Sequence, residues 1–289
     1  MATPIVFGAA LAAFFETARL KSFTRAAARL HVSQSALSQR VHKLEEELGA
    51  TLFVRGTDGI RLTETGLRLL RYCQAKDQLD AELLRDLKEP AVGELAGPLR
   101  VAAYSSVLRS AVLPALARLL RGNPAIQIEF QVHQTSALPR VLREGGADFI
   151  VLDRKLAWSD VTALPLGRER YVVIESARRA SPADIYLDND PDDNVTRWFF
   201  AGRPDAPDYR RVFMCDVYGI LDGVAQGLGR AVVPRHLVRR GAGVRVIESY
   251  SERHVDVVLH HYTVAAPASL HKQVIAALVG GCGRHMETD

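Results

Sequence analysis

The run Ser33-Gln34-Ser35-Ala36-Leu37-Ser38-Gln39-Arg40 places short polar side chains at the entry of a segment with helical apolar spacing. Serine hydroxyls donate and accept, a glutamine amide can pair with two groups of adenine, and Arg40 can reach a phosphate or a guanine. Arg19, Lys21, Arg25, Arg29, Arg40 and Lys43 surround this run. No acid lies between Arg19 and Lys43, and Glu45, Glu46 and Glu47 come only at the far end of the segment. Positive charge gathered beside hydrogen-bonding side chains is the pattern of a nucleic-acid contact. The same residue types also suit a solvated helix face in an ordinary bundle.

A second constellation follows three apolar runs that read as strands. Ser105-Ser106 follow the first, Thr135 the second and Arg154 the third. Ligands in open α/β sheets bind beyond the carboxyl ends of strands, so these positions are candidates for holding a small anion. Each also suits a plain cap, turn or surface charge. The run Asp188-Asn189-Asp190-Pro191-Asp192-Asp193-Asn194 is calcium-like. It has Asp193 where an EF-hand needs glycine and Phe199 where it needs the closing glutamate, so no metal is expected. If the run faces a ligand cleft it would suit an ammonium group; otherwise it is a solvated loop capping a helix. Asp216-Val217-Tyr218-Gly219 opens another helix near the expected cleft and carries the same two readings.

Catalytic patterns are missing. The chain has no GxSxG, Walker loop, HExxH or Cys/His pair, and His260-His261 and Cys282 stand isolated, so no enzyme activity and no cofactor are expected. Its three cysteines, Cys73, Cys215 and Cys282, are odd in number and widely spaced, which excludes a disulfide framework and fits a reducing, cytoplasmic compartment. Pro4 to Phe15 is apolar, but no Lys or Arg precedes it and Glu16-Thr17-Ala18-Arg19 continues a helix, so a leader is not expected. No uncharged apolar stretch is long enough for a membrane span.

The elements that must hold these residues follow from periodicity. Leu11, Phe14, Phe15 and Ala18 mark a helix, Ser22 caps an alanine-rich one, and Ser33 caps a third from about Gln34 to Leu48 that Gly49 ends. Thr51–Arg55 and Ile60–Leu62 flank Gly56-Thr57-Asp58-Gly59 as a small hairpin. Thr63 caps a long helix, about Glu64 to Lys88, with a broken stripe of Leu67, Leu70, Leu79, Leu83, Leu84 and Leu87. Pro90, Gly93, Gly97 and Pro98 mark a hinge. Beyond it, strand–helix–strand order predicts a largely parallel sheet (Leu99–Ala103, Ile126–Val132, Phe149–Leu152). A second α/β unit follows, with strands at Tyr171–Ile174, Ile185–Leu187, Arg230–Val233 and Val255–His260. A last helix, about Leu270 to Val279, returns to the first unit. The 289 residues, 48% apolar and 24% charged, supply cores for two or three domains, and 37 basic against 33 acidic side chains leave a charge of only +4.

Ala26-Ala27 through Leu30, Val32-Ser33-Gln34-Ser35-Ala36-Leu37-Ser38, Leu44-Glu45-Glu46-Glu47-Leu48-Gly49, Leu52-Phe53 with Arg55, and Leu62-Thr63 with Gly66 together resemble the N-terminal signature of the LysR-type transcriptional regulators. The later order of hinge, two α/β units and return helix resembles that family over the whole chain. The resemblance implies an α/β architecture with an N-terminal winged helix-turn-helix at 1–63, a linker and dimerisation helix at 64–90 and a hinge at 91–98. The remainder, 99–289, would be a two-lobed, periplasmic-binding-protein-like effector domain, lobe I at about 99–163 and 262–289 and lobe II at about 164–261. It implies a homodimer or homotetramer acting on double-stranded DNA at an interrupted inverted repeat under the control of a small-molecule effector, with no membrane partner. Carried over residue by residue, Ser33, Gln34, Ser35, Ser38 and Gln39 fall at base-reading and phosphate-contacting positions. Arg55 matches the wing arginine, with Arg40 and Arg61 as further phosphate contacts. Ala27 and Leu37 match packing positions, and Val54 stands where the family often has an acid. Ser105 and Ser106 fall where the family commonly binds effector, and Arg154 resembles an arginine that some members use to hold a carboxylate. A carboxylate or amino acid is therefore the expected ligand. An enzyme built on the α/β lobes and an architectural DNA binder whose lobes only oligomerise are the competing readings.

Overall fold

The computed structural model describes residues 8–56, 59–88, 95–239, 241–264 and 267–286. The chain divides into two compact units, one built mainly on Met1–Val92 and the other mainly on the residues from Gly93 onward.

The first unit holds α1 (Gly8–Leu20), α2 (Phe23–Arg29), α3 (Gln34–Leu48), the hairpin β1 (Phe53–Gly56) and β2 (Gly59–Leu62), and α4 (Glu64–Lys88). Both predicted caps form. Ser22 Oγ accepts from Arg25 N at 3.3 Å and Ser33 Oγ from Ala36 N at 3.1 Å, each satisfying an orphan N–H of a helix start. Between α2 and α3, His31 takes φ +54°, and Val32 N donates to Ala27 O at 3.0 Å, which makes the turn tight. Ala26, Ala27, Leu37 and Val41 form the contact between the two helices, and Leu11, Phe14, Leu44, Leu52, Leu70 and Cys73 complete the core. Phe53 lies 5.3 Å from the Phe14 ring and 5.5 Å from Phe23, anchoring the hairpin to the helices.

Gly66 is required by packing. A Cβ there would lie 2.2 Å from the carbonyl oxygen of Leu52, so α4 can start against the hairpin only without a side chain. The leucine stripe of α4 divides by burial. Leu70 belongs to the core, whereas Leu79 and Leu83 are 42% and 57% exposed and Leu84 is exposed beside them. The side chain of Leu87 and residues 91–94 of the expected hinge lie outside the described residues, and Gly97 and Pro98 of that hinge instead open the strand that follows.

The second unit begins with β3 (Gly97–Ala103), α5 (Ser105–Val107), a π turn (Leu108–Val112) and α6 (Leu113–Gly122). It continues through β4 (Ile126–Val132), α7 (Leu138–Arg143), β5 (Phe149–Leu152), β6 (Val161–Ser176), β7 (Ile185–Asp188), α8 (Val195–Phe200) and β8 (Arg210–Phe213). Then come α9 (Val217–Ala225), β9 (Ala231–Pro234), a 3-10 turn (Arg235–Leu237), β10 (Val244–Val246), β11 (Arg253–Tyr262) and α10 (Ser269–Met286).

The three strands expected to run parallel, β3, β4 and β5, do so, and they belong to a larger sheet that is mixed. Its order is β10-β6-β11-β5-β3-β4, with β9 also on β6. Within this sheet only β3 pairs in parallel, with β4 and β5; the β5–β11, β11–β6, β6–β9 and β6–β10 pairs are antiparallel, and β7 and β8 form a separate parallel pair. The reason is β6, a 16-residue strand of which the sequence reading caught only Tyr171–Ile174. Its first half pairs beside β5 through β11, and its second half carries β9 and β10, so one strand serves two cores. Leu99, Val101, Phe149, Leu259 and Val274 lie in the first core, and Val172, Ile174, Leu187, Val224 and Val233 in the second.

Helix α10 packs on the first core and runs seven residues past the end its periodicity predicts. In that extension a Cβ on Gly281 would lie 2.8 Å from that of Ala115, so the glycine is there for close helix contact.

Candidate nucleic-acid interface and effector site

Helix α3 turns Leu37, Val41 and Leu44 into the core, all 3% exposed or less. The side chains this leaves outside are the polar ones: Ser33, Gln34, Ser35, Ser38 and Gln39 are exposed and Arg40 is half-buried. The hydroxyls of Ser33 and Ser35 are 3.0 Å apart, and Ser33 is at the same time the helix cap. Thr24 Oγ1 donates to Gln34 Oε1 at 3.3 Å. The face can therefore present hydroxyls and two amides from the first two turns of a helix, the geometry that reads a major groove.

The surrounding charge is less free than the sequence implies. Glu16, just outside the acid-free stretch, holds Arg19 at 2.8 Å and Arg29 at 3.5 Å. The guanidinium of Arg25 donates to the Leu20 carbonyl. Lys43 is exposed on α3 and Arg61 on β2. The hairpin register sets Val54 opposite Arg61 and Arg55 opposite Ile60, so the two wing arginines are offset by one step. The side chain of Arg55 lies outside the described residues.

In the second unit, β5, β3 and β4 are neighbouring parallel strands, so their carboxyl ends share one edge of the sheet. Ser105 and Ser106 follow β3, Thr135 follows β4 and Arg154 follows β5. The topology thus brings all four predicted positions to that edge, with Ser105 and Thr135 half-buried.

Ser106 departs from expectation. It is buried, and its hydroxyl donates to Glu169 Oε1 at 3.3 Å. Glu169, on β6, also accepts from Tyr104 at 2.8 Å and Tyr171 at 3.3 Å, and lies 2.7 Å from His236 Nε2 on the 3-10 turn. Burial raises both tyrosine hydroxyls well above their usual range, with the Glu169 charge adding to it, so they stay protonated and donate. Ser106 is a strut of this cluster.

Arg154 is exposed and donates to Asp153 Oδ1 at 2.7 Å, so a carboxylate from the same turn already engages its fork. The turn is pinned by His260, whose Nε2 accepts from Leu156 N at 3.0 Å. Burial pushes that imidazole down to about 4, in keeping with an unprotonated acceptor.

Most of the acidic run has structural work. Asp188 is buried against Arg211 and Thr196, and desolvation raises its carboxyl. Asp193 accepts from the backbone N–H of Asn189 and Val195, and Arg211 donates to the carbonyls of Asp190, Pro191 and Asp193. Asp190 also holds the loop, its Oδ1 accepting from Asp192 N and Asp193 N and its Oδ2 from the Asn189 amide, all at 2.9 Å, and its Oδ2 accepts in addition from Gln134, next to Thr135, at 3.2 Å. Asp216 caps α9 through Tyr218 N and Gly219 N. Arg109, the one residue of the π turn not buried, stacks 4.0 Å over the Tyr218 ring.

Sequence reasoning missed Glu169, His236 and Arg109. The signal for Glu169 was a carboxylate at an inward position of an alternating strand, hidden because β6 was expected to begin only at Tyr171. Cys73 and Cys282 are buried, each thiol pushed up to about 12 chiefly by desolvation, and Cys215 is exposed. Among the described residues, no cluster of three or more His, Cys, Asp or Glu side chains could hold a metal ion, and no helix is long and apolar enough to cross a membrane.

Comparison with known proteins places both units. Residues 9–67 match the profile of the bacterial regulatory helix-turn-helix proteins of the lysR family, and residues 93–280 match the LysR substrate binding domain. The chain is 32% identical to the HTH-type transcriptional activator AmpR of Pseudomonas aeruginosa over 243 residues, 80% of this chain and 79% of that protein. It is 32% identical to the HTH-type transcriptional regulator HdfR of Yersinia enterocolitica over 162 residues, a match that spans 54% of this chain and about half of that protein, 53%. Among solved structures, ArgP of Mycobacterium tuberculosis superposes with a TM-score of 0.78 at 21% identity, covering 97% of each chain. Full-length LysG of Corynebacterium glutamicum, with bound effector Arg, superposes with a TM-score of 0.73 at 20% identity, covering 94% of this chain and 98% of that one.

Proposed function

The chain belongs to the LysR family of DNA-binding transcriptional regulators, and from that premise we propose how it reads DNA and what it senses. Ser33, Gln34, Ser35, Ser38 and Gln39 contact base edges and backbone in a major groove, and Arg40, Arg55 and Arg61 contact phosphates. The observation that carries this reading is the exposed polar face of α3, set opposite its buried Leu37-Val41-Leu44 face. Two copies, paired through the exposed leucines of α4, span an interrupted inverted repeat as a dimer or a tetramer. The protein acts in the cytoplasm, at the nucleoid when bound to its operator.

The effector is a small carboxylate held at the shared strand edge by Ser105, Thr135 and Arg154, with Ser106 supporting from behind. Within that class we favour an amino acid. Asp190 is the member of the acidic run tied to Gln134 at that edge, and in this reading an ammonium group takes the place of the Gln134 amide on its Oδ2. LysG, a neighbour in fold, carries bound Arg.

Calorimetry of the full chain against amino acids and against amine-free organic acids tests the ligand class. Saturable binding by an amino acid that weakens in Ser105→Ala and Asp190→Asn is the expected result. Binding unaffected by Ser105→Ala, Thr135→Ala and Arg154→Ala together would place the effector elsewhere. Genomic footprinting of the same protein tests the DNA assignment independently.

A further inference from the structure

Thr24 and Gln34 meet because the packing beneath them leaves little choice. Thr24 lies in the first turn of α2, and Gln34 is the first residue of α3. Ala26 and Ala27 on one helix lie against Leu37 and Val41 on the other, all 3% exposed or less. The turn between them is held by Val32 N bonding to Ala27 O at 3.0 Å. On this scaffold Thr24 Oγ1 reaches Gln34 Oε1 at 3.3 Å.

A free glutamine amide can present either its carbonyl or its NH2 to a base, because the two ends differ by a half-turn of the terminal torsion. When a hydroxyl donates to Oε1, the carbonyl faces the donor and the NH2 becomes the group left to lead. The β-branch of threonine restricts the torsion that carries the hydroxyl, so the donor is held in place. In the free protein the contact is exposed and weak. Once DNA closes over α3 and displaces water, the same bond strengthens in a lower dielectric.

We propose that Thr24 is a positioning residue that fixes the amide of Gln34 with its NH2 toward the base edge, so that this position reads a purine through N7. Adenine and guanine both present that acceptor in the major groove, whereas cytosine presents a donor and thymine, although its O4 also accepts, carries a C5-methyl group at the outer edge where a purine has N7. The remaining lone pair on Oε1 stays available to the adenine amino group. The inference rests on the proposed role of Gln34 in base reading.

In vitro selection from a random double-stranded DNA pool, using the full-length protein, tests it together with affinity measured against salt. Wild type is expected to enrich a motif with a purine at one position. Gln34→Ala should flatten that position by about 5- to 100-fold, the range a good base contact confers. Thr24→Val should flatten the same position several-fold and leave the others and the salt slope unchanged, while Thr24→Ser, which restores the donor, keeps the preference. Wild-type discrimination retained by Thr24→Val overturns the proposal. So does uniform weakening with a shallower salt slope, which would make Thr24 a phosphate contact. If Gln34→Ala leaves every position of an enriched motif unchanged, the parent assignment of Gln34 fails and the proposal with it.

Discussion

Glu169 and His236 face each other at 2.7 Å with both side chains buried, joining the strand that serves both cores to the 3-10 turn after β9. Tyr104, Tyr171 and Ser106 direct their hydroxyls at the same carboxylate. Removing it would leave four donors without an acceptor, two of them on the buried residues Ser106 and His236, and breaking a buried pair costs about 3–5 kcal/mol. Glu169→Ala should lower unfolding stability by at least about 3 kcal/mol, and Glu169→Gln by clearly less. Urea unfolding of the three proteins decides the matter, and a Glu169→Ala loss under about 1 kcal/mol would show that the cluster rearranges.

Gly66→Ala should destabilise the DNA-binding unit, because the new Cβ meets a backbone carbonyl, which cannot swing aside as a side chain can. Overpacking of this kind costs about 1–3 kcal/mol. Thermal melting followed by an operator shift assay should show a lower Tm and weaker DNA binding. Wild-type values for both would mean that α4 shifts without consequence.

Lowering the pH should cost stability through His260. Its folded pKa, about 4, lies below the ordinary histidine value. Between the two, the unfolded chain binds a proton that the folded chain refuses, so this contribution is complete above about pH 6.5 and falls as pH drops toward 4. His260→Gln should flatten the slope of stability over that window. An unchanged slope would mean that other groups govern it.

Arg61→Ala should weaken binding to all DNA sequences alike and reduce the slope of log affinity against log salt by about 0.9, the value for one phosphate contact. An unchanged slope would remove Arg61 from the interface.

Leu83 is 57% exposed on α4, where a second subunit would cover it. Leu83→Asp should yield monomers in sedimentation at low micromolar concentration and abolish cooperative operator binding. A variant that still dimerises would locate the interface elsewhere.

The DNA-reading unit was legible in the sequence because its determinants are local. Caps such as Ser22 and Ser33, the helical spacing of Leu37, Val41 and Leu44, and the cap at Thr63 act within a turn or two of chain, so residue type and interval suffice. The tertiary structure decided what depends on distant segments. Glu16 takes up charge from Arg19 and Arg29, Gln34 receives a hydrogen bond from another helix, and Gly281 makes room for a close contact with Ala115. The effector unit shows the difference most clearly. Ser105, Thr135 and Arg154 could be placed at strand ends from periodicity alone. That Ser106 turns inward to Glu169, that Asp153 engages Arg154, and that Asp188 is occupied by Arg211 followed only once partners far apart in sequence were folded together. A polar side chain carries the same chemistry exposed or buried. Whether it serves a ligand or the fold is set by which donors and acceptors the tertiary structure brings within reach.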